Sequence, residues 1–493
     1  MFFDRIYRID MVLKKSNHVN PVNPVRRPLV LPGFAVIFSL FQANFLMNKR
    51  TGLLAGLILS TSILLAQNKP KPEDVQTFTL KNGMKFMVLE DHSIPNANFY
   101  TFWRVGSRNE VHGITGLSHF FEHMMFNGAK KYGPKQFDRV MEANGGSNNA
   151  YTTENTTVYT DWFQSGALET IFDLESDRIR DLAIDPKMVE SERGVVLSER
   201  STGLENSNYR VISELVQSVA FVEHPYMFPV IGFESDIKKW TQADLEKYFK
   251  TYYSPNNAVA VVVGDVTAAQ VKKLAEQYIE PIPAQKLPDS LRTVEPPQNG
   301  ERRATTYKDV ATPNILLAYH TPATRHPDYY ALDLLSGVLS SGNSSRLVKS
   351  LVLDSTIASR VFSNMDQSFD PSLFSIYAIA ASGISAEQLE RSVLHQIDKV
   401  VNEGITDVEL QKLKNQKLME FYRTMESING KANSLGTYEL YFGDYKKLYE
   451  APSLYEKVTK EDVQRVARTY LTARNRTVGY LLPEPKTNPS KNN

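Results

Sequence analysis

The pentapeptide His119-Phe-Phe-Glu122-His123 lies in the run Gly116 to Asn127, where Leu117, Phe120, Phe121 and Met124 recur at helical spacing. Residues four apart on an α-helix are offset by roughly 40° around the axis and by one turn along it. His119 and His123 can therefore direct two imidazoles at one metal ion with Glu122 beside them, while the four apolar residues turn to a core. The stretch predicts a helix and gives its polar face a chemistry.

A metal that keeps one position open for water takes three protein ligands, so a third must come from elsewhere. The segment Glu190-Ser-Glu192-Arg-Gly-Val-Val-Leu-Ser-Glu199-Arg-Ser reads as a second helix, with Glu192 and Glu199 seven residues apart on one face. Either carboxylate suits zinc, and the other would then orient a ligand or handle protons. Taken alone, the two glutamates also fit a solvated helix face.

The order H-x-x-E-H is the inverzincin arrangement, the reverse of H-E-x-x-H. With it the chain resembles the pitrilysin, insulin-degrading enzyme and mitochondrial processing peptidase family of zinc metallopeptidases, over roughly residues 75 to 485. The residues that carry the resemblance are Gly116-Leu-Ser-His119-Phe-Phe-Glu122-His123-Met-Met-Phe-Asn-Gly128, Gly146-Ser-Asn-Asn149-Ala150-Tyr-Thr-Thr and Glu192-Arg-Gly-Val-Val-Leu-Ser-Glu199. Further marks are His224-Pro-Tyr, Pro229-Val-Ile-Gly232, and Tyr253-Ser-Pro-Asn-Asn257 leading into Val259-Ala-Val-Val-Val-Gly264-Asp265. The resemblance implies His119, His123 and Glu199 as ligands of one zinc ion per chain, Glu122 as general base, and Glu192 as an accessory glutamate of the catalytic set.

The activity so implied is peptide-bond hydrolysis by metal-activated water, with no covalent intermediate. The chain has no cysteine, which excludes a thiol nucleophile, and no serine stands in a G-x-S-x-G context. A non-catalytic assembly or peptide-binding protein on the same fold is the alternative. Such relatives are expected to have lost ligands, whereas all five site residues are present here.

After the first helix, Gly145-Gly-Ser-Asn-Asn149-Ala150-Tyr151-Thr152 and the following Thr157-Val-Tyr159 read as a turn leading into strands. The resemblance makes this an exposed edge strand onto which substrate adds, with Asn149 and Ala150 contacting its backbone. Backbone pairing favours extended peptides or unfolded polypeptides over folded proteins.

An internal repeat sets the architecture. Thr241, Asp244, Tyr252 and Asn257 recur as Thr459, Asp462, Tyr470 and Asn475, each 218 residues later. The strand around Phe99 to Val105 matches one around Ile315 to Tyr319, and the motif helix matches one around Tyr330 to Leu339, where Gly337 and its neighbours replace the histidines. The expected fold is α+β: two homologous α/β units in tandem, each a mostly antiparallel sheet packed with helices. The zinc-bearing unit is placed at residues 75–280, a proline-rich linker at 281–300, an inactive homologous unit at 301–485, and a disordered tail at 486–493.

In self-sufficient members of the resembling family the second part supplies an arginine and a tyrosine, seven apart, that help bind substrate and stabilise the tetrahedral intermediate. Here Val352 and Ser359 stand at those places, with Arg346 and Arg360 near but out of register. An oxyanion site without its donors loses orders of magnitude in rate. The expectation is a dimer, in which a homologous partner subunit supplies the Arg/Tyr pair, or a homodimer.

The formal net charge is +1, and no clustered basic face suggests nucleic acid. Met47-Asn-Lys49-Arg50 followed by the apolar run Thr51 to Ala66 reads as a signal peptide at 47–66, with a membrane anchor as the alternative, and residues 1–46 as an upstream extension that is not translated. A periplasmic or otherwise exported location follows, with membrane contact only through that segment if uncleaved.

Overall fold

The run Ala258-Val-Ala-Val-Val-Val-Gly264 has no polar break, as a strand covered on both faces requires, and all seven residues are buried. A computed structural model describes residues 71–485 and places this run at the centre of the first of two sheets. That sheet consists of β1 (Val75–Thr79), β2 (Lys85–Glu90), β3 (Asn96–Trp103), β4 (Ser147–Thr152), β5 (Thr157–Gln164) and β6 (Ala258–Gly264), in the order β1-β2-β6-β3-β5-β4. Only β2 and β6 pair in parallel.

The second sheet is built from β7 (Arg302–Lys308), β8 (Asn314–Thr321), β9 (Ala358–Met365), β10 (Ser372–Ala380) and β11 (Arg476–Pro483), in the order β7-β11-β8-β10-β9. Its one parallel pair is β7 and β11. Position for position this repeats β2-β6-β3-β5-β4, so the fold is the expected pair of mostly antiparallel α/β units. The repeat extends to individual hydrogen bonds. Thr241 and Thr459 each close a capping box with the aspartate three residues on. The Asn257 Nδ2 donates to the Tyr252 carbonyl, and the Asn475 Nδ2 to that of Tyr470, both at 2.8 Å.

One face of each sheet is packed by helices of its own unit. Phe86, Phe99, Tyr159 and Val262 meet Phe120, Phe121 and Phe172 in the first, and Ile315, Leu317 and Phe374 meet Leu335, Val393 and Val466 in the second. The other faces are covered reciprocally. Helix Ile428–Thr437 and its continuation Tyr438–Phe442 lay Ile428, Ala432, Leu435 and Leu440 on Met87, Phe102, Val259 and Val261 of the first sheet. Helix Asn208–Ala220 of the first unit lays Ile212 and Val216 on Leu316, Ala318 and Leu481 of the second.

Each of these buried side chains contributes about 1.5–3 kcal/mol, so either sheet owes much of its stability to the other unit's helix. The approach is close enough to need glycine on both sides. A Cβ on Gly436 would meet the Phe102 ring at 2.1 Å, and one on Gly479 of β11 would meet Val216 at 2.4 Å. The ion pairs Lys85–Glu439, at 2.7 Å, and Lys431–Asp91 cross the same boundary. The described residues accordingly fall within one compact unit.

Segment 281–300 has neither helix nor strand. It is nevertheless fastened: the Glu295 carboxylate accepts the amides of Val222, Glu223 and His224 at 2.9–3.2 Å, and the Gln298 Nε2 donates to the Arg476 carbonyl. The extension at 1–46, the signal or anchor at 47–66 and the tail at 486–493 lie outside the described residues. Among the described residues no helix is long and apolar enough to cross a membrane.

Candidate metal centre

The motif helix runs Leu117–Met124, shorter at both ends than the sequence suggests. Gly116 precedes it with φ of 88°, a left-handed backbone that favours glycine. A Cβ at Gly116 would also lie 2.5 Å from the Ile231 carbonyl, so the helix begins where Pro229-Val-Ile-Gly232 presses against it. No side chain at the N-cap position closes this helix. Glu110 does so from a distance, accepting the Gly116 amide at 2.6 Å and the Ser118 amide at 2.8 Å. Burial pushes the Glu110 carboxyl up to about 8, against the downward pull of those two amides.

The second helix runs Pro186–Asn206, longer than the segment that announced it. Asp185 caps it through the amides of Lys187 and Met188, with proline at its first position. Arg193, on the buried side, donates from Nη2 to the Trp240 carbonyl at 3.0 Å and fixes the helix against the core.

The two helices bring His119, His123 and Glu199 together. Glu199 Oε2 lies 3.6 Å from His119 Nε2 and 3.5 Å from His123 Nε2, and one ligand atom from each residue falls within 4.8 Å of the others. Tetrahedral zinc with bonds near 2.0–2.1 Å spaces its ligands by ~3.3 Å, so this donor set fits that ion. Among the described residues no other group of histidines and carboxylates is so arranged.

Glu192 occupies the next shell. Its Oε1 lies 2.7 Å from His123 Nδ1 and its Oε2 accepts from Asn127 Nδ2 at 2.7 Å. That contact fixes the imidazole so that Nε2 faces Glu199. His119 differs, because its Nδ1 is enclosed and has no partner.

The electrostatics divide the two histidines. Burial holds His119 down at about 4, whereas on His123 burial is outweighed by hydrogen bonds with Glu192 and Glu199, which raise it to about 10. Glu192 is lowered chiefly by its hydrogen bond with His123. For Glu199 burial works upward, but the His123 hydrogen bond and the charge of His119 carry it below the usual carboxylate range.

Glu122, on the same helix, accepts the Thr152 hydroxyl at 2.6 Å. Thr152 ends β4, the outermost strand of the first sheet, where Asn149 and Ala150 pair with Thr160 and Tyr159 of β5. Among the described residues no strand pairs with the opposite edge of β4. One hairpin thus carries the free edge and touches the glutamate.

Val352 lies in the π-helical turn Val348–Asp354, packed on the second core, and Ser359 is exposed on the edge strand β9. Arg346 is committed to Glu409 at 2.7 and 3.0 Å, and Arg360 stacks on Phe362. Outside the metal group, His224 Nδ1 accepts the Tyr226 amide and His326 Nδ1 that of Asp328, in keeping with turns. Sequence reasoning named neither Thr152, Asn127 nor Glu110 as site residues. Asn127 stands four residues after His123, a spacing that could have marked it; no spacing marks the other two.

Fold and site together define a metallopeptidase-like α+β protein with a His-His-Glu group on two helices. The chain belongs to peptidase family M16, the insulinase family: the insulinase description matches residues 86–232 and the "Peptidase M16 inactive domain" residues 239–417. It is similar to the zinc protease PqqE of Helicobacter pylori, 32% identical over 451 residues, covering 89% of this chain and 100% of that protein. A crystal structure of a protease from Helicobacter pylori superposes with a TM-score of 0.80 at 31% identity, over 83% of this chain and 99% of that one. The periplasmic protease PqqL of Escherichia coli shares the fold, with a TM-score of 0.70 at 18% identity, over 84% of this chain and 48% of that one.

Proposed function

We propose that the chain is a zinc metallopeptidase that hydrolyses peptides or unfolded polypeptides. The observation that carries this reading is the convergence of His119 Nε2, His123 Nε2 and Glu199 Oε2, with Glu122 one residue from His123 on the same helix. Zinc held by these three would supply Lewis acidity, acidifying water towards neutral pH and polarising the scissile carbonyl. Glu122 takes the proton from the attacking water and returns it to the leaving amine. Thr152 holds one oxygen of that carboxylate, and Glu192 holds His123 in the ligating tautomer. The open edge of β4 receives the peptide as an added strand, with Asn149 and Ala150 along its backbone.

The partner is part of the proposal. The chain spans the whole of its Helicobacter relative and 48% of PqqL, so a two-module enzyme is matched by one half. Val352 and Ser359 offer neither guanidinium nor phenol, and a homologous subunit, or a second copy, is the source of both. Export through residues 47–66 to the periplasm accords with the location named for PqqL.

Glu122→Gln is the test. The variant should hold zinc in the wild-type ratio by mass spectrometry, yet cleave an unstructured fluorogenic peptide at least about a hundredfold more slowly. Wild-type rates in the zinc-loaded variant would sink the peptidase reading.

A further inference from the structure

The arginines around the two helices of the metal centre are otherwise committed. Arg178 has enclosed nitrogens too but is ion-paired with Glu175, Arg193 bonds Glu190 and the Trp240 carbonyl, and Arg200 pairs with Glu214 at 2.9 Å. Arg210 is different. It stands near the start of helix Asn208–Ala220, and its guanidinium makes no hydrogen bond and no ion pair among the described residues, although Nη1 is wholly enclosed. Nη1 is packed against Gly203, so an acceptor from outside would be met by the rest of the half-buried guanidinium, which has none of its own among the described residues.

Its position says which acceptor. Gly203 follows Glu199 by four residues and therefore lies on the same face of helix Pro186–Asn206, one turn or about 5.4 Å further on. A Cβ on Gly203 would come within 2.0 Å of Arg210 Nη1 and 2.8 Å of its Cζ. The guanidinium fills the space that the glycine leaves, beside the metal-ligating carboxylate. Its charge lies within electrostatic reach of Glu199 and His119. An extended peptide advances about 3.3 Å per residue, so a chain crossing the metal presents a carbonyl oxygen here within two residues of the scissile bond.

We propose that Arg210 is a substrate-binding residue that receives a backbone carbonyl of the peptide close to the scissile bond, and that Gly203 exists to admit it. The inference rests on the peptidase reading. It places inside this chain part of the anchoring that the absent Arg/Tyr pair would give, so the partner need supply only the remainder.

The test uses the full chain loaded with zinc, on the Glu122→Gln background, so that binding of a fluorescent unstructured peptide is read without turnover. Arg210→Gln should weaken binding about tenfold or more at unchanged zinc content, with Arg210→Lys between it and wild type. Gly203→Ala keeps the arginine but displaces its head, and alanine is the better helix former, so folding is not threatened. It should weaken binding as Arg210→Gln does. Unaltered peptide affinity in both variants would overturn the proposal, as would zinc loss in Arg210→Gln, which would make the arginine a support of the ligand set. The peptidase reading fails separately, through undiminished turnover in Glu122→Gln.

Discussion

Thr152 and Glu122 are 30 residues apart in sequence and 2.6 Å apart in space. A hydroxyl donated to a carboxylate is a charge-assisted hydrogen bond, and it ties Oε2 of Glu122 to the end of β4. Replacing Thr152 by valine keeps the shape and removes the donor. The variant should bind zinc normally and show kcat about tenfold lower, with Thr152→Ser near wild type; equal kcat in the valine variant would remove Thr152 from the machinery. At this scale the sequence was legible wherever chemistry follows helical spacing, as for His119, His123, Glu192 and Glu199. It was silent on Thr152, because the end of a strand carries no period that points at a helix. Glu110 was hidden for a related reason. Thr115 is the residue that looks like the helix cap, yet its hydroxyl serves Asp236 and the Phe233 amide instead.

Among the elements, helix Asp407–Thr424 is opened by a capping box of Thr406 and Glu409, and Glu409 also takes the guanidinium of Arg346. Burial opposes ionisation of Glu409, but Arg346 and Thr406 outweigh it and carry the carboxyl from 4.5 down to about 2. A value depressed by folding stabilises the chain above the ordinary carboxylate value. That stability is lost as pH falls from near 4.5 through about 2. Glu409→Gln should therefore lower the thermal midpoint at pH 7 and flatten its decline between pH 4.5 and 2; a decline as steep as in wild type would refute the assignment. The same pairing explains why Arg346 is no substitute for a substrate-binding arginine. Sequence matched the two T-x-x-D stretches only as landmarks of a repeat, and the structure makes each the start of a helix closed by a capping box. The ends of the motif helix were misplaced because Gly116 and the Met125–Asn127 turn answer to tertiary contacts.

For the whole molecule the reciprocal covering of the sheets governs stability. The chain's three tryptophans, Trp103, Trp162 and Trp240, all lie in the first unit, so their fluorescence reports on that unit alone. Gly436→Val, made in the second unit, forces a side chain onto Phe102. The tryptophan-monitored urea transition should shift to lower denaturant together with the far-ultraviolet circular dichroism, by about 1–3 kcal/mol in stability. An unshifted tryptophan transition would mean that the units stand independently. The tandem repeat was legible in sequence, but the exchange was not. Periodicity tells which face of a helix is apolar and never whose sheet that face will cover.

Each copy of the unit gives a helix and receives the corresponding one, at Asn208–Ala220 and Ile428–Thr437. Divide the chain between 281 and 300, and what remains has the form of an arm-exchanged homodimer whose ends have been fused. Fusion frees one member of such a pair from keeping its chemistry. The second copy shows the result at Gly337, which stands where His119 stands in the first and now lets Leu413 close to within 2.7 Å of where a side chain would begin.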